Sequence, residues 1–119
     1  MRVSHYIGFV PPVVGVDGEF NTFRLGGFYR RALEAGQLVY LADEKAKQII
    51  GLACVDHISS GQLSEMCVLY GAENHSNLVQ HDDGLQPQER LYRLLQKLYG
   101  PHIATPSKLT TVVHLRRLE

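Results

Sequence analysis

Apolar and polar residues alternate along the first segment of the chain, and a period of two places successive side chains on opposite faces of a strand. On that pattern Val3 to Phe9 reads as a first strand. Pro11, Pro12, Gly15 and Gly18 then break the chain into a loop, and Phe20 to Leu25 forms a second strand ended by Gly26-Gly27. Phe28 to Glu34 reads as a short helix closed by Gly36. Gln37 to Ala42 is a third strand, and Gln48 to Ile58 is a fourth beyond the polar turn Asp43-Glu44-Lys45-Ala46-Lys47. Gly51 inside that strand marks a bulge or a close backbone approach.

The period then lengthens. Leu63, Met66, Cys67 and Tyr70 recur at helical spacing, with Ser60 as the expected cap. Glu73 to Val79 reads as a further short helix, and His81-Asp82-Asp83-Gly84 as an exposed loop. The clearest helix starts at Pro87, carries Leu91, Leu94, Leu95, Leu98 and Tyr99 on one face, and stops at Gly100-Pro101. Leu109 to Leu115 closes the chain as a strand ending in Arg116-Arg117. The order β-β-α-β-β-α-α-β offers few parallel crossovers. It predicts an α+β fold, a small mixed or antiparallel barrel decorated by helices, not a doubly wound sheet.

Composition narrows the function classes. With 119 residues and 45% apolar content, the chain is expected to form one domain with a real core, spanning residues 1–119. No apolar run is long enough to cross a bilayer, and the N-terminus does not read as a secretory signal. Cys54 and Cys67 sit in apolar patterns, as free buried thiols of a cytoplasmic protein would. Formal net charge is zero, which argues against coating a duplex by charge alone and leaves a local patch as the route to a nucleic acid.

The densest chemistry lies in Asp17-Gly18-Glu19-Phe20-Asn21-Thr22-Phe23-Arg24. Thr22 and Arg24, two apart on a strand, present a hydroxyl and a planar cation on one face, with Phe20 as a neighbouring aromatic wall. Such a set grips a phosphate, a carboxylate or a heterocycle carbonyl. The ordinary alternative is a strand edge with Arg24 in a surface salt bridge. The six histidines show no i,i+4 pair and no Cys-x-x-Cys partner, so neither a metal nor another cofactor is expected. Gly26-Gly27 is too short for a phosphate loop.

These residues resemble the ASCH family, whose members are PUA-like β-barrels. Thr22-Phe23-Arg24 matches the family's Thr-x-Arg strand. Ala35-Gly36-Gln37-Leu38-Val39-Tyr40-Leu41 matches its next strand entry, with Gln37 where the family has Asp. Leu98-Tyr99-Gly100-Pro101 followed by Thr110 to Leu115 matches its end. The resemblance implies a pocket beside the Thr-x-Arg strand that binds RNA or a nucleoside-like small molecule. Arg24, Glu19 and Asn74 are then the expected ligand contacts. One branch of the family hydrolyses acetylcytidine with a Lys, a Thr and a Glu. The Thr maps onto Thr22 and the Glu onto Glu73, so these two are the catalytic candidates of an amidohydrolase acting on an acylated nucleoside. A ribonuclease is a further alternative. Glu19 stands where that branch has its lysine, and Phe20 where the motif has its second Thr. On a regular strand Glu19 also points to the face opposite Thr22, so only a bulge would bring it round. Binding without catalysis is therefore the leading expectation.

Overall fold

The computed structural model describes residues 3–119; Met1 and Arg2, the start of the segment judged above not to be a signal, lie outside the described residues. The strands are β1 (Val3–Phe9), β2 (Glu19–Leu25), β3 (Leu38–Asp43), β4 (Gln48–Gln62) and β5 (Leu109–Arg117). The α-helices are α1 (Phe28–Ala32), α2 (Leu63–Tyr70) and α3 (Pro87–Tyr99). The strands form a single mixed sheet in the order β1-β3-β4-β5-β2, in which β1 and β3 run parallel and every other pair is antiparallel. This is the α+β architecture expected, realised as a curled half-barrel. β1 and β2 are its two edges, and no strand ladder joins them among the described residues.

Several local expectations shift. The segment read as a helix over 73–79 is two 3-10 turns, Gly71–Glu73 and His75–Asn77. Asn74, between them, caps the second turn: its side chain accepts from the Ser76 N–H at 3.0 Å and from the Ser76 hydroxyl at 2.6 Å. Asn and Ser compete for backbone groups, which favours such tight caps over a continuous helix. Ser60 does not cap α2. β4 runs on to Gln62 because β5 pairs with it as far as Leu109, and Gln62 takes the cap position instead. Cross-strand pairing overrides the local turn signal.

The Gly51 reading holds on both counts. Register slips beside it between Leu41 and Ala42, leaving Ile50 as the extra residue. A Cβ on Gly51 would also strike the Arg117 guanidinium. A second slip at Asp56 bends β4 again. These bulges let one long strand curl instead of lying flat.

Two apolar clusters hold the sheet. The concave side packs Ile7, Phe9, Phe20, Val39, Leu41, Val55, Val113 and Leu115. The other side packs Phe23 and Val112 under Leu63, Met66 and Cys67 of α2 and Leu91 and Leu95 of α3. β2 is therefore covered on both faces from Phe20 to Phe23. α3 supplies this second cover with the stripe that its spacing predicts, starting at Pro87 in the first turn. Each fully buried leucine of that stripe contributes about 1.5–3 kcal/mol. Both cysteines are free, Cys67 buried and Cys54 half-buried. No helix among the described residues is long and apolar enough to cross a membrane.

Candidate ligand site at the sheet seam

The half-barrel leaves a seam where edge strand β2 faces edge strand β1, and Arg24 spans it. Its terminal Nη2 donates to the Gly8 carbonyl of β1 at 2.8 Å, and its Nε donates to the Thr22 hydroxyl at 3.2 Å. The guanidinium lies over the rings of Phe9, at 5.2 Å, and Tyr29, at 5.7 Å. Among the described residues it makes no ion pair, so the surface salt bridge considered above is not present. Two hydrogen bonds use part of a planar donor fork and leave the remaining N–H groups without an acceptor among the described residues. Burial lowers the pKa of Arg24 below the ordinary arginine value, with Tyr29, Tyr99 and Glu44 acting in the opposite sense. Arginine stays charged under such a shift. The seam thus holds a partly desolvated cation that no carboxylate contacts among the described residues, the charge of Glu44 acting on it from beyond ion-pair distance.

A cavity of about 460 Å³ opens beside it. Gly8 and Phe9 of β1 and Thr22, Phe23 and Arg24 of β2 form its two edges. Leu91, Leu94, Leu95, Leu98 and Tyr99 of α3 roof it, and Asn74, His75 and Ser76 close one end. No Asp or Glu lines it. The volume falls within the range of about 300–1,000 Å³ typical of small-molecule sites, and the mixture of apolar walls with few polar groups is equally typical.

Of the residues expected at the site, Thr22, Arg24 and Asn74 are brought together and Glu19 and Glu73 are not. The β2–β5 ladder runs without a slip from Glu19 to Leu25, so Glu19 stays on the opposite face, exposed, across from Arg116. Glu73 is exposed at the end of its 3-10 turn and does not line the cavity. Thr22 is 2% exposed, and Arg24 is the one hydrogen-bond partner of its hydroxyl among the described residues. No carboxylate is placed to activate it as a nucleophile. Asn74 spends its side chain on the surrounding chain. It bridges to Asn21 of β2, donates to the Asn21 carbonyl at 3.4 Å, and caps the turn that follows.

That turn presents His75, which residue patterns alone do not single out. Its Nδ1 lies 3.2 Å from the Val14 carbonyl, and its ring meets Phe9 edge-on at 5.0 Å. A carbonyl only accepts, so Nδ1 carries the proton and Nε2 presents a lone pair. Burial first, then the Arg24 charge, lower the pKa of His75 to about 4, against the Val14 hydrogen bond that favours the charged form. The ring is therefore neutral near pH 7. Gly15 makes this packing feasible: it has φ of +69°, and a Cβ there would collide with the His75 carbonyl. The available sequence signal was the Asn74-His75-Ser76 cap, whose asparagine fixes the histidine beside a strand edge.

Of the neighbouring aromatic and basic side chains, Phe23 alone among Phe20, Phe23, Tyr6, Arg116 and Arg117 lines the cavity. Phe20 is buried in the concave cluster, whereas Phe23 reaches the cavity wall. Tyr6 is exposed on β1. Arg116 lies 3.6 Å from Asp56, and Arg117 is held by backbone carbonyls, so this pair forms no free basic rim. No cluster of three His, Cys, Asp or Glu side chains suited to a metal occurs among the described residues.

Solved structures share this arrangement of sheet and helices. A mutant of the ASCH protein of Zymomonas mobilis superposes over 93% of this chain and 66% of its own, with a TM-score of 0.57 and 21% identity. The ASCH domain from Lactobacillus crispatus does so over 87% and 65%, with a TM-score of 0.52 and 11% identity. The chain has the ASCH fold. The hypothetical protein PH0355 is also similar, over 96% of this chain and 98% of its own, with a TM-score of 0.66 and 15% identity. This chain spans about two thirds of the length of the two ASCH proteins. No protein-family model matches the chain, and no curated protein matches it in sequence. At these identities the ASCH likeness fixes the path of the backbone, and the chemistry must be read from the seam itself.

Proposed function

We propose that this ASCH-fold chain binds RNA or a nucleotide through an anionic group held by Arg24 in the seam cavity. The observation that carries the reading is a guanidinium without a contact ion pair: a cation with donors to spare, ringed by protein, on a cavity wall that no carboxylate lines among the described residues. Desolvating a charge is costly unless it is paired, and an incoming phosphate supplies the missing partner. The Thr22 hydroxyl accepts from Arg24 and retains its own proton to donate to a ligand oxygen. Phe9, Phe23 and the α3 leucines supply apolar walls for a heterocycle or ribose. The reading is one of binding, since Thr22 lacks an adjacent base.

Calorimetric titration with the four ribonucleoside 5′-monophosphates and with short single-stranded RNA tests it. The expected result is saturable binding that Arg24→Ala weakens roughly 10- to 100-fold, the loss of charge-assisted hydrogen bonds. With a single cation contacting phosphate, log affinity should fall with log salt at a slope of about −0.7. Absence of binding to any of these ligands, or equal binding by a folded Arg24→Ala protein, refutes the assignment.

A further inference from the structure

We propose that His75 is the second ligand-binding group of the seam, and that Arg24 and His75 together select a terminal phosphate monoester over an internal phosphodiester. The proposal rests on the reading of the seam as an anion site and adds the class of anion. Both side chains line the same cavity and both contact the Phe9 ring. Arg24 lies over that ring at 5.2 Å and His75 meets it at 5.0 Å, so the two heads are separated by no more than the sum of these distances. Nδ1 is committed to the Val14 carbonyl, and Nε2 has no protein partner among the described residues. An orphan acceptor beside an orphan cation suits a ligand that is anionic and also offers an O–H.

A phosphate monoester carrying one proton is such a ligand. Its charged oxygens pair with Arg24, and its P–O–H donates to Nε2. Moving that proton onto Nε2 gives a dianion between two cations, with the same atoms and the same total charge. Either form contains one proton more than the free dianion plus neutral His75. A phosphate monoester has its second pKa near 6, so at pH 7 about nine-tenths of it is dianion and binding takes up about 0.9 proton. A diester has no such proton, leaves Nε2 unpaired and neutralises only Arg24.

The other titratable groups near His75 do not supply this pairing. Arg24 on β2 is permanently charged. Tyr99 comes from α3, and β1 contributes Phe9. The loop carrying Val14 and Gly15 presents backbone to the ring and its turn. His81 also lines the cavity, but it is exposed and its Nε2 is committed to the Ser76 carbonyl 2.6 Å away, to which it donates. Without ligand, burial and the Arg24 charge keep His75 neutral. An anion on Arg24 removes the second of these and favours the charged ring.

The test compares the tightest-binding ribonucleoside 5′-monophosphate with its phosphate methyl ester. Each is titrated calorimetrically at pH 7 in two buffers of different ionisation enthalpy, which yields the number of protons taken up. The expected result is uptake of about 0.9 proton for the monoester and none for the ester, with the ester binding at least 10-fold more weakly. His75→Asn, whose amide can still donate to the Val14 carbonyl, should abolish the uptake and bring the two affinities together while binding still requires Arg24. His102→Asn, at an exposed histidine outside the cavity lining, should change neither. Nitrogen-detected NMR of wild-type protein gives the same reading without a variant: Nε2 of His75 should change its shift on addition of the monoester and not of the ester. Arg24-dependent binding with equal affinities and no proton uptake overturns this proposal alone, as does uptake that persists in His75→Asn. Failure of every ligand to bind, or binding that survives Arg24→Ala, removes the anion site and this proposal with it.

Discussion

Arg24 and Arg117 occupy comparable positions and do opposite things. Each sits near the end of a strand and reaches across the half-barrel to backbone carbonyls. Arg117 is committed through all three of its nitrogens: it donates to the carbonyls of Glu119 at 2.9 Å, Val16 at 2.9 Å and Ile50 at 2.8 Å, and Asp17 lies 3.7 Å away. Gly51 leaves room for its guanidinium. It is a clamp that ties the loop before β2 and the β4 bulge to β5. Arg24 has one carbonyl, one hydroxyl, two aromatic faces and no carboxylate. An arginine whose three nitrogens all donate to backbone holds the chain together. One whose fork is partly empty beside a cavity is available to a ligand. The histidines repeat the contrast. His114 and His75 both have pKa values lowered to about 4, chiefly by burial. His114 shares its Nε2 with Ser59 at 3.0 Å and stacks on His57 at 3.8 Å, whereas the Nε2 of His75, a residue of the cavity lining, has no partner among the described residues.

The largest expected effect breaks the clamp. Arg117→Met leaves three backbone carbonyls short of a donor. Unfolding in urea should show a loss of about 3 kcal/mol, with ligand affinity in the surviving folded protein close to wild type. A change below about 1 kcal/mol would mean that the two arginines do not differ as described. Arg24→Met should show the reverse pattern. Binding falls by about 2–3 kcal/mol, while stability changes by less than about 1 kcal/mol because a desolvated charge is replaced by an apolar chain. A large stability loss here would make Arg24 a second clamp.

A smaller effect comes from the histidines. Both have folded pKa values of about 4, below the ordinary value of 6.5. The unfolded chain therefore binds more protons between those limits, and stability falls as pH drops from 6.5 toward 4 and levels off below. Above pH 6.5 the contribution is fully present. Since both rings keep some exposure, the combined loss should be on the order of 2 kcal/mol, less than the full shifts imply. Urea midpoints measured across this range check it, and His114→Gln should flatten part of the slope. A flat profile would show that the rings are not held neutral. The smallest expected effect concerns the carboxylates. Glu19→Gln and Glu73→Gln should leave ligand affinity and stability within about 0.5 kcal/mol of wild type, as for exposed side chains outside the cavity. A strong loss in either would return it to the site.

Some of this was legible in the chain. The two-residue spacing of Thr22 and Arg24 required them to share a face, and the three-residue spacing of Glu19 and Thr22 required opposite faces; the regular ladder realises both. Pro87, the leucine stripe and Gly100 defined α3 because capping and helical periodicity are local properties. Gly51 marked its bulge for the same reason. Other features were not local. Nothing near Arg24 in sequence announces that Gly8, sixteen residues earlier, will accept its hydrogen bond, or that no acid among the described residues will pair with it at contact distance. The role of His75 depends on Val14, Phe9 and Arg24, which reach it from three separate segments.

The sequence by itself thus determined the order of elements, the two faces of β2 and the amphipathic roof of the cavity, since backbone geometry and side-chain period act over a few residues. The tertiary structure decided which cation stays unpaired, which histidine stays neutral and which carboxylates stay outside. Those outcomes depend on desolvation and on partners brought together from distant segments when the sheet curls and its two edges meet at the seam.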